Sequence, residues 1–366
     1  MEEKLEKILR LLEEIITIED LRYFLDKKIP LRHYIGFELS GLAHLGTALF
    51  TSIKIKDFQE AGIDTHIFLA DWHSWINDKL GGDLQNIQKY GVSYFKEVFS
   101  ITLKSIEAKE VNFILASEMY KENYWETVIE VAKNTTLARI QRSIDILGKK
   151  EGSSVDFAKL IYPIMQVADI FVGGFNFVHA GIDQRKAHVI ARQVATKLKI
   201  SPLKFKNEII KPVIVHQPLI LSISKPPIWP LTPDKFIELK SELKMSKSKP
   251  ESCIFIHDSP YEVEKKIMKA FCPPKEVTYN PILNIVNYII FPLKKVFKVK
   301  NINGSYITFD NFNKLKISYE KEEIHPLDLK ESVLFYLNDI LKPIYEHFSS
   351  GMPQKLKEII SDLSKK

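Results

Sequence analysis

The sequence predicts an α/β protein in which a parallel sheet is followed by an α-helical domain. In the first part of the chain, short apolar strands alternate with amphipathic helices, as is typical of a parallel sheet with helical crossovers. From about residue 258 the segments have a mostly helical pattern. A length of 366 residues allows more than one domain, because single domains usually contain about 100–200 residues. We therefore expect N-terminal helices in 1–30, a sheet domain in 31–255 and a helical domain in 256–366.

The first elements follow from apolar spacing and capping residues. Leu5 to Ile16 show helical spacing, and Thr17 followed by Asp20 is typical of the N-cap of a second helix. Three strands are then predicted over 33–37, 65–70 and 111–115, with helical segments between them, the first ending at Gly62. Parallel sheets bind ligands at the carboxyl ends of their strands, so polar residues there are candidates for a site.

The later part of the chain opens with a strong helix start. Ser259-Pro260-Tyr261-Glu262 supplies an N-cap serine, a proline at the first position and a glutamate that completes a capping box. Further helices are predicted over 281–291, 327–341 and 353–364, and 294–300 contains four lysines.

Composition and charge exclude several classes of protein. Hydrophobic residues make up 45% and charged residues 27%, which excludes a mainly disordered chain, a collagen and a coiled-coil rod. Apolar stretches are interrupted well before about 18 residues and no signal pattern begins the chain, so we expect a cytoplasmic protein without a membrane span. Two cysteines, Cys253 and Cys272, are too few for a disulfide framework or a zinc cluster. The net charge of +6 allows an anionic partner.

The first motif with chemical potential lies where the first strand leads into a helix whose first turn contains His44 and Gly46. Gly46 lets a ligand approach the backbone, and free N–H groups at a helix N-terminus can bind a phosphate. The His44 imidazole can donate to a nucleotide oxygen. Taken alone, this His-x-Gly pattern is more often a surface histidine.

The second motif is Lys244-Met245-Ser246-Lys247-Ser248. Two lysines beside small hydroxyl residues can clamp a polyphosphate and neutralise a departing pyrophosphate. Alone, this segment would more often be a solvated, lysine-rich loop. The two motifs in this order, about 200 residues apart, are a signature of class I aminoacyl-tRNA synthetases.

With further motifs, the chain resembles the tyrosyl-tRNA synthetases of the archaeal and eukaryotic type from about Leu31 to Phe348. The motifs that carry this resemblance are Tyr34–Glu38, Leu69–His73, Tyr162–Asp169, Gly181–Lys186, Lys244–Ser248 and His325–Lys330. The resemblance implies a Rossmann-like catalytic domain with an acceptor-stem-binding insertion at about 110–160, and a helical anticodon-binding domain in 256–366.

The resemblance also implies the reaction. ATP and L-tyrosine give tyrosyl-adenylate and pyrophosphate, and tyrosine is then transferred to the 3' end of tRNA(Tyr). Because the tyrosine carboxylate is the nucleophile, positioning and charge neutralisation supply the catalysis. The catalytic candidates are His44, Thr47, Lys244 and Lys247, and the candidates for ATP binding are Gly41, His44, Gly46, Lys244, Ser246 and Lys247. Mg²⁺ is expected with ATP, although the sequence has no dedicated ligand cluster, and a homodimer is implied.

The tyrosine pocket is predicted on one helix. Tyr162, Gln166 and Asp169 share a helical face at spacings of four and three, although an ordinary polar network has the same pattern. By resemblance, Tyr34 and Asp169 bind the phenolic hydroxyl of tyrosine. The same resemblance assigns its α-amino group to Tyr162, Gln166 and Gln184, and the further candidates for the pocket wall are Glu38, His73 and Phe68. Phe68 could equally belong to the core.

Predicted tRNA contacts rest on the resemblance. Arg142 and Arg185 would face the first base pair of the acceptor stem, and Lys186 would contact a phosphate. His325 and Asp328 stand at a helix start, where an acidic residue usually acts as a cap. The resemblance instead implies that Asp328 accepts from the guanine at the first anticodon position, with lysines of 294–300 on phosphates.

Three features depart from the family pattern. Thr47 stands where a second histidine is usual, and its hydroxyl can donate one hydrogen bond but carries no charge. The segment 217–243, with Pro226–Pro230, is longer than usual. Ile302 occupies the place of the aromatic residue that stacks on the anticodon.

Three other functions compete with this prediction. In a tryptophanyl-tRNA synthetase, the pair Tyr34 and Asp169 would be unexpected, because it favours a phenol over an indole. A nucleotidylyltransferase that does not act on tRNA would not need His325 and Asp328. A tRNA-binding protein without catalysis is suggested only by Thr47. Pyrophosphate exchange with each amino acid separates all four.

Overall fold

The computed structural model describes residues 1–148, 156–239 and 242–365, and its centre is a six-stranded sheet. The strands of this sheet are β1 Glu14–Ile16, β2 His33–Phe37, β3 His66–Leu69, β4 Asn112–Leu115, β5 Phe177–Gly181 and β8 Val213–Gln217, and two small hairpins consist of β6 Lys204–Phe205 with β7 Glu208–Ile209 and β9 Phe297–Lys300 with β10 Tyr306–Phe309. The strand order is β1-β8-β5-β2-β3-β4, and all neighbours are parallel except β1 and β8. The predicted α/β class is confirmed.

Helices cover both faces of the sheet and make up most of the later chain. Up to the last sheet strand they are α1 Glu2–Leu9, α2 Ile18–Asp26, α3 Thr51–Glu60, α4 Asp71–Ile76, α5 Leu84–Asn86, α6 Val92–Ser105, α7 Ala116–Met119, α8 Glu122–Lys133, α9 Leu137–Arg142, α10 Phe157–Val172 and α11 Arg185–Val194. The later helices are α12 Pro233–Leu239, α13 Pro260–Lys269, α14 Pro281–Ile285, α15 Phe291–Lys294, α16 Phe312–Glu320, α17 Pro326–His347 and α18 Gly351–Leu363. Single π-helical turns lie at Gly46–Phe50, Ile87–Gly91 and Val286–Ile290, and 3₁₀ turns at Lys79–Gly82, Ile144–Leu147, Ile182–Gln184 and Pro250–Ser252.

Several predicted boundaries are confirmed. β2 has the predicted limits, and α3 is followed by Gly62 in the left-handed region, at φ +82°, which glycine adopts without strain. The Thr17 side chain accepts from the amide of Asp20 at the start of α2, and the capping box at Ser259 is formed. Local hydrogen bonds therefore fix these ends, as the sequence indicated.

The prediction of helix throughout 1–29 was wrong between the two helices. Glu14 to Ile16 form β1, which pairs with β8 so that Glu14 lies opposite His216. Without this pairing, β8 would be an unprotected edge of the sheet. The pairing partner is about 200 residues away in sequence, so helical spacing alone could not reveal it.

The later chain is less uniformly helical than predicted. The lysine-rich segment 294–300 ends in β9, where Phe297 and Val299 are buried while Lys298 and Lys300 are exposed. This alternation has the period of two that a half-buried strand requires. The hairpin of β9 and β10 therefore replaces part of the expected helical pattern.

One hydrophobic core contains residues from both sides of the predicted boundary at 255/256. It includes Phe95 and Phe99 of α6 together with Leu337 of α17 and Ile360 of α18. The Nε2 of His347, at the end of α17, lies 2.8 Å from the Oε2 of Glu97 on α6. The boundary itself stays a prediction. Among the described residues, no helix is long and apolar enough to cross a membrane.

Candidate active site

A cavity of about 1720 Å³ opens at the carboxyl ends of β2, β5 and β8. The predicted site residues that line it are Tyr34, Glu38, Gly41, His44, Gly46, Thr47, His73, Tyr162, Gln166, Asp169, Gln184, Lys244, Ser246 and Lys247. The fold therefore brings together residues from the two motifs and from the face of α10. Their individual roles stay predictions.

At one end of the cavity the two motifs meet. The Nζ of Lys247 lies 3.4 Å from the Oγ of Ser40 and 5.1 Å from the centre of the Phe95 ring. Burial lowers the pKa of Lys247 to about 8, and the nearby carboxylate of Glu38 opposes this shift. The other lysine, Lys244, forms an ion pair with Asp183. This end can therefore present two ammonium groups to a polyphosphate.

His44 lies just before the helix, rather than in its first turn as predicted, because the helical turn begins at Gly46. The Nδ1 of His44 accepts from the Gly46 amide at 3.1 Å, so the Nε2 carries the proton of the neutral ring. The Oγ1 of Thr47 lies 3.0 Å from this Nε2. Burial, with the charges of Lys247 and Lys244, lowers the pKa of His44 to about 3. His44 is therefore a neutral donor.

At the other end, Asp169 is buried on α10. Its Oδ1 accepts from the hydroxyl of Tyr124 at 3.0 Å, whereas its Oδ2 has no hydrogen-bond partner among the described residues. The Nε2 of His73 lies 3.5 Å from that Oδ2, and Tyr120 contacts the other ring nitrogen of His73 at 3.1 Å. Burial raises the pKa of Asp169 well above its usual value.

Tyr34 stands near this carboxyl group at the end of the cavity. Burial, followed by the negative charge of Asp169, raises the pKa of the Tyr34 hydroxyl. Its ring packs on Phe68 and Phe175 at centroid distances of 5.4 and 4.9 Å. Phe68 was predicted either in the pocket wall or in the core. It is fully buried in the core and is not among the residues that line the cavity.

The wall between the two ends is made of amides. The Nε2 of Gln166 donates to the Oε1 of Gln184 at 3.2 Å, and Gln184 donates to the Ile146 carbonyl at the same distance. The Oε1 of Gln166 is buried without a partner among the described residues. Glu38 accepts from Asn77 at 2.8 Å. The Oε1 of Gln166 can therefore receive a hydrogen bond from an ammonium group.

Sequence reasoning missed several polar residues of the site. Tyr124 binds Asp169 although it lies on α8, and no local pattern relates the two positions. His179, His188 and Gln217 also line the cavity. Of these, Gln217 follows the pattern of a polar residue at the carboxyl end of a strand, which could have indicated it.

The residues predicted to contact tRNA lie outside the cavity. Lys186 donates to the carbonyl of Arg142 at 2.8 Å and pairs with Asp145 at 2.7 Å, so these residues form one exposed group. Arg185 binds Glu14 on β1 through two hydrogen bonds of 2.8 and 2.9 Å. Part of the predicted insertion at 110–160, residues 149–155, lies outside the described residues.

Capping by Asp328, the alternative to the predicted base contact, is not observed. The N-cap of α17 is His325, whose Nδ1 accepts from the Leu327 amide at 3.2 Å. Asp328 lies in the first turn and has no side-chain hydrogen bond or ion pair within the described ranges. Ile302 is 65% exposed, so an apolar side chain is presented to solvent at that position.

The long segment 217–243 packs on the later part of the chain, except that residues 240 and 241 lie outside the described residues. The ring of Trp229 lies against Phe271 and Tyr279, at centroid distances of 4.8 and 6.3 Å. Leu221 and Leu243 belong to the same apolar cluster. The segment therefore forms a small core of its own beside the Lys244–Ser248 loop.

This fold and this cavity define a class of enzyme. A family model described as tRNA synthetases class I (W and Y) matches residues 26–342. The chain therefore belongs to this family of class I aminoacyl-tRNA synthetases, and is an enzyme.

Comparison with individual proteins shows which members of this family the chain is most similar to among those compared. The tyrosine–tRNA ligase of Thermococcus kodakarensis is 53% identical over 343 residues, which cover 92% of each chain. The crystal structure of tyrosyl-tRNA synthetase complexed with L-tyrosine from Pyrococcus horikoshii superposes with a TM-score of 0.94 at 49% identity, covering 98% of this chain and 99% of that one. A tryptophanyl-tRNA synthetase from Aeropyrum pernix has a TM-score of 0.65 at 17% identity, covering 94% and 84%, and shares the fold alone. The predicted resemblance to tyrosyl-tRNA synthetases of the archaeal type is confirmed.

Proposed function

We propose that the protein is a tyrosine–tRNA ligase that activates L-tyrosine with ATP and transfers it to tRNA(Tyr). The observation that carries this proposal is the buried Asp169, whose Oδ2 has no hydrogen-bond partner in the described part of the chain and stands at the end of the cavity beside Tyr34. A buried acceptor of this kind favours an amino acid with a hydroxyl group, because an analogue without one leaves it unpaired. Tyrosyl-tRNA synthetases as a class discriminate against phenylalanine by about 10⁵-fold. The similarity to tyrosine–tRNA ligases supports the same choice.

In the first step, a carboxylate oxygen of tyrosine attacks the α-phosphorus of ATP, and the bond to the pyrophosphate oxygen breaks. Negative charge then builds on the pyrophosphate. Lys244 and Lys247 would neutralise this charge. The Nε2–H of His44, which lies 3.0 Å from the Oγ1 of Thr47, would donate to a phosphate oxygen instead of to that hydroxyl group. In the second step, a ribose hydroxyl of the terminal adenosine of tRNA attacks the tyrosyl carbonyl and AMP leaves. The protein forms no covalent bond in either step.

Pyrophosphate exchange with single amino acids tests the function. Radiolabelled pyrophosphate should enter ATP in the presence of L-tyrosine, and far more slowly with L-phenylalanine or L-tryptophan. Exchange dependent on tryptophan would favour the sister enzyme. Exchange that needs no amino acid would overturn the proposal.

Lys247→Ala is expected to lower the single-turnover rate of adenylate formation by about 10²-fold, with little change in tyrosine affinity. The charge acts mainly while pyrophosphate departs, so its loss affects the transition state more than the bound amino acid. Rapid quench kinetics and tyrosine titration measure the two quantities. Lys249→Ala is the matched control, because Lys249 is exposed and does not line the cavity. A normal rate with weakened tyrosine binding would contradict the assignment.

Asp328→Ala is expected to leave pyrophosphate exchange intact and to weaken aminoacylation of tRNA by roughly 1–3 kcal/mol, the usual contribution of one base contact. Replacing the first anticodon guanine should then cost little more in the variant than the single change. Aminoacylation kinetics with both tRNAs give this double-mutant cycle.

The rival explanation for such a loss is damage to the helix start. Because His325 provides the cap, removing Asp328 would cost only the interaction of an acidic residue with the helix dipole, about 0.3–1 kcal/mol. Glu331→Ala on the exposed side of the same helix is the control. Strict additivity of the protein and base changes, with a lower melting temperature, would mean that Asp328 has no contact with the base.

The remaining proposals concern partners and location. Arg142, Arg185 and Lys186 form an exposed basic group that suits the acceptor stem of tRNA. Mg²⁺ would arrive with ATP and be held mainly by phosphate oxygens and water. The described residues offer no group of three acidic, histidine or cysteine side chains that fits a metal ion. A cytoplasmic location agrees with the two free cysteines.

A homodimer is proposed through the surface near α8. Exposed apolar side chains are concentrated there, at Trp125, Ile129, Leu137 and Phe157, with Trp75 nearby in the ring cluster of Trp72 and Trp125. Contiguous exposed apolar groups usually mark an interaction surface. Sedimentation equilibrium measures whether the mass in solution is that of two copies.

A further inference from the structure

A chain of four polar residues runs from the surface to the floor of the cavity. Arg185 donates to Glu14, whose Oε2 lies 2.8 Å from the Nδ1 of His216 on β8. The Nε2 of His216 lies 3.0 Å from the Nδ1 of His188 on α11, with the two rings stacked at an angle of 10°. Both histidines are fully buried, and His188 lines the cavity.

The carboxylate fixes where the protons of this chain reside. Glu14 can only accept, so the Nδ1 of His216 must carry a hydrogen. Burial lowers the pKa of His216 and of His188, so both rings are neutral and each carries a single N–H. His216 therefore accepts at its Nε2 from the Nδ1–H of His188. The Nε2 of His188 is left as an acceptor without a donor among the residues that the structure describes.

The Nε2 of His188 shares one property with the groups predicted to bind substrate: it is buried without a hydrogen-bond partner among the described residues. Four residues that line the cavity have a buried polar atom without a hydrogen-bond partner among the described residues, namely His73, Gln166, Asp169 and His188. The first three are predicted to bind tyrosine. Leaving such an atom unpaired in the occupied enzyme would be unfavourable, so a donor from the bound substrate is expected.

We propose that the Nε2 of His188 accepts a hydrogen bond from the α-ammonium group of bound L-tyrosine, and that His216 and Glu14 are positioning residues that hold this tautomer. The inference rests on the proposed function and adds a binding residue to it. The ring of His188 follows Gln184 by four residues, so the two side chains lie on one side of α11, next to the amide group predicted to hold the same ammonium. Because the Glu14 carboxylate stands behind the two rings, the Nε2 of His188 attracts a cation more strongly than it attracts a neutral hydroxyl group.

His188→Asn separates the two roles of the ring. The asparagine amide can still donate to His216 in place of the Nδ1–H, but it removes the acceptor at the position of the Nε2. The dissociation constants of three ligands are measured by calorimetry: L-tyrosine, tyramine, which keeps the ammonium, and 3-(4-hydroxyphenyl)propanoate, which lacks it. We expect tyrosine and tyramine to bind about 10- to 100-fold more weakly, since a hydrogen bond to a charged group is lost, and the propanoate to bind unchanged.

The control variant is His66→Asn. His66 is another buried histidine, on β3, and it is not among the residues that line the cavity. Its ring contacts a backbone carbonyl of β2, so its loss measures general damage to the sheet. All three dissociation constants should stay at the value of the natural protein in this variant.

Glu14→Ala tests the positioning part. It removes the carboxylate that holds the proton on the Nδ1 of His216, so both rings can change tautomer and an N–H of His188 can turn toward the ammonium. Tyrosine and tyramine should again bind more weakly while the propanoate does not, and unchanged binding in this variant would overturn the role of Glu14.

Each of the other possible outcomes contradicts the proposal in a different way. Equal weakening of all three ligands in His188→Asn would mean that the ring only supports the fold, and no change would mean that it has no contact with substrate. Weaker ATP binding or a slower transfer to tRNA, with normal tyrosine binding, would assign the donor to a ribose hydroxyl and overturn the ammonium assignment. Because the natural protein is assayed for tyrosine-dependent exchange alongside, failure of the proposed function is seen separately.

Discussion

Asp169→Ala is expected to reduce tyrosine-dependent pyrophosphate exchange by about 30- to 1000-fold, which corresponds to a loss of about 2–4 kcal/mol in transition-state stabilisation. The substitution removes the acceptor for the substrate hydroxyl, and it leaves the buried Tyr124 hydroxyl with only the Met165 carbonyl, at 3.3 Å, in place of the closer carboxylate at 3.0 Å. ATP affinity should change little, because the phosphate end of the cavity is formed by other elements. Exchange kinetics at varied tyrosine and ATP concentrations measure both effects.

The control for Asp169→Ala is Asp71→Ala. Asp71 is equally buried and accepts from Gln88 at 2.9 Å and from the Ser117 amide at 3.1 Å, but it does not line the cavity. Its removal should lower the melting temperature while the folded fraction exchanges pyrophosphate at the natural rate. Unchanged tyrosine kinetics in folded Asp169→Ala would rule out this pocket as the tyrosine site.

Acidification from pH 7 to pH 5 is expected to lower the free energy of unfolding by about 2 kcal/mol for each of four buried histidines. Burial lowers the pKa of His33, His44, His73 and His257 to about 3, from an ordinary value of 6.5. Below pH 6.5 the unfolded chain binds protons that the folded chain does not. Stability is therefore lost as the pH falls through the window from 6.5 to 3.

Other buried groups contribute with both signs: burial raises the pKa of Asp169 and Asp258, which opposes the loss, and lowers the pKa of His188 and His216, which adds to it. Urea unfolding at pH 7, 6 and 5 measures the slope. His33→Gln should recover about 2 kcal/mol of the difference between pH 7 and pH 5, because it removes one titrating ring. A free energy of unfolding that does not change over this range would show that the rings are not held neutral.

Much of the site could be predicted because its residues follow local rules. The positions of Tyr162, Gln166 and Asp169 follow from helical periodicity, and α10 does place all three in the cavity. The end of β2 could be located from a change of period. Such signals lie within one element, so they survive without knowledge of what packs against it.

The parts that could not be predicted depend on contacts between distant segments. β1 is a strand because β8 offers it an edge, and Tyr124 belongs to the site because α8 packs on α10. The histidine pair His188 and His216 joins a helix to a strand. Nothing in the spacing of these residues encodes the pairing, since hydrogen bonds between elements depend on how the whole sheet is assembled.

The length of helix α17 sets a distance within the molecule. Its 22 residues span about 33 Å, at about 1.5 Å per residue, from the turn that carries Asp328 to His347. His347 is tied to Glu97, two positions after the Phe95 ring on which Lys247 lies. Because an α-helix resists stretching, the separation between the proposed anticodon contact and the phosphate end of the cavity is set by its length. Inserting one residue would push these points about 1.5 Å further apart and turn one against the other by about 100°, so the proposed tRNA contacts would depend on the distance between two sites as well as on the bases.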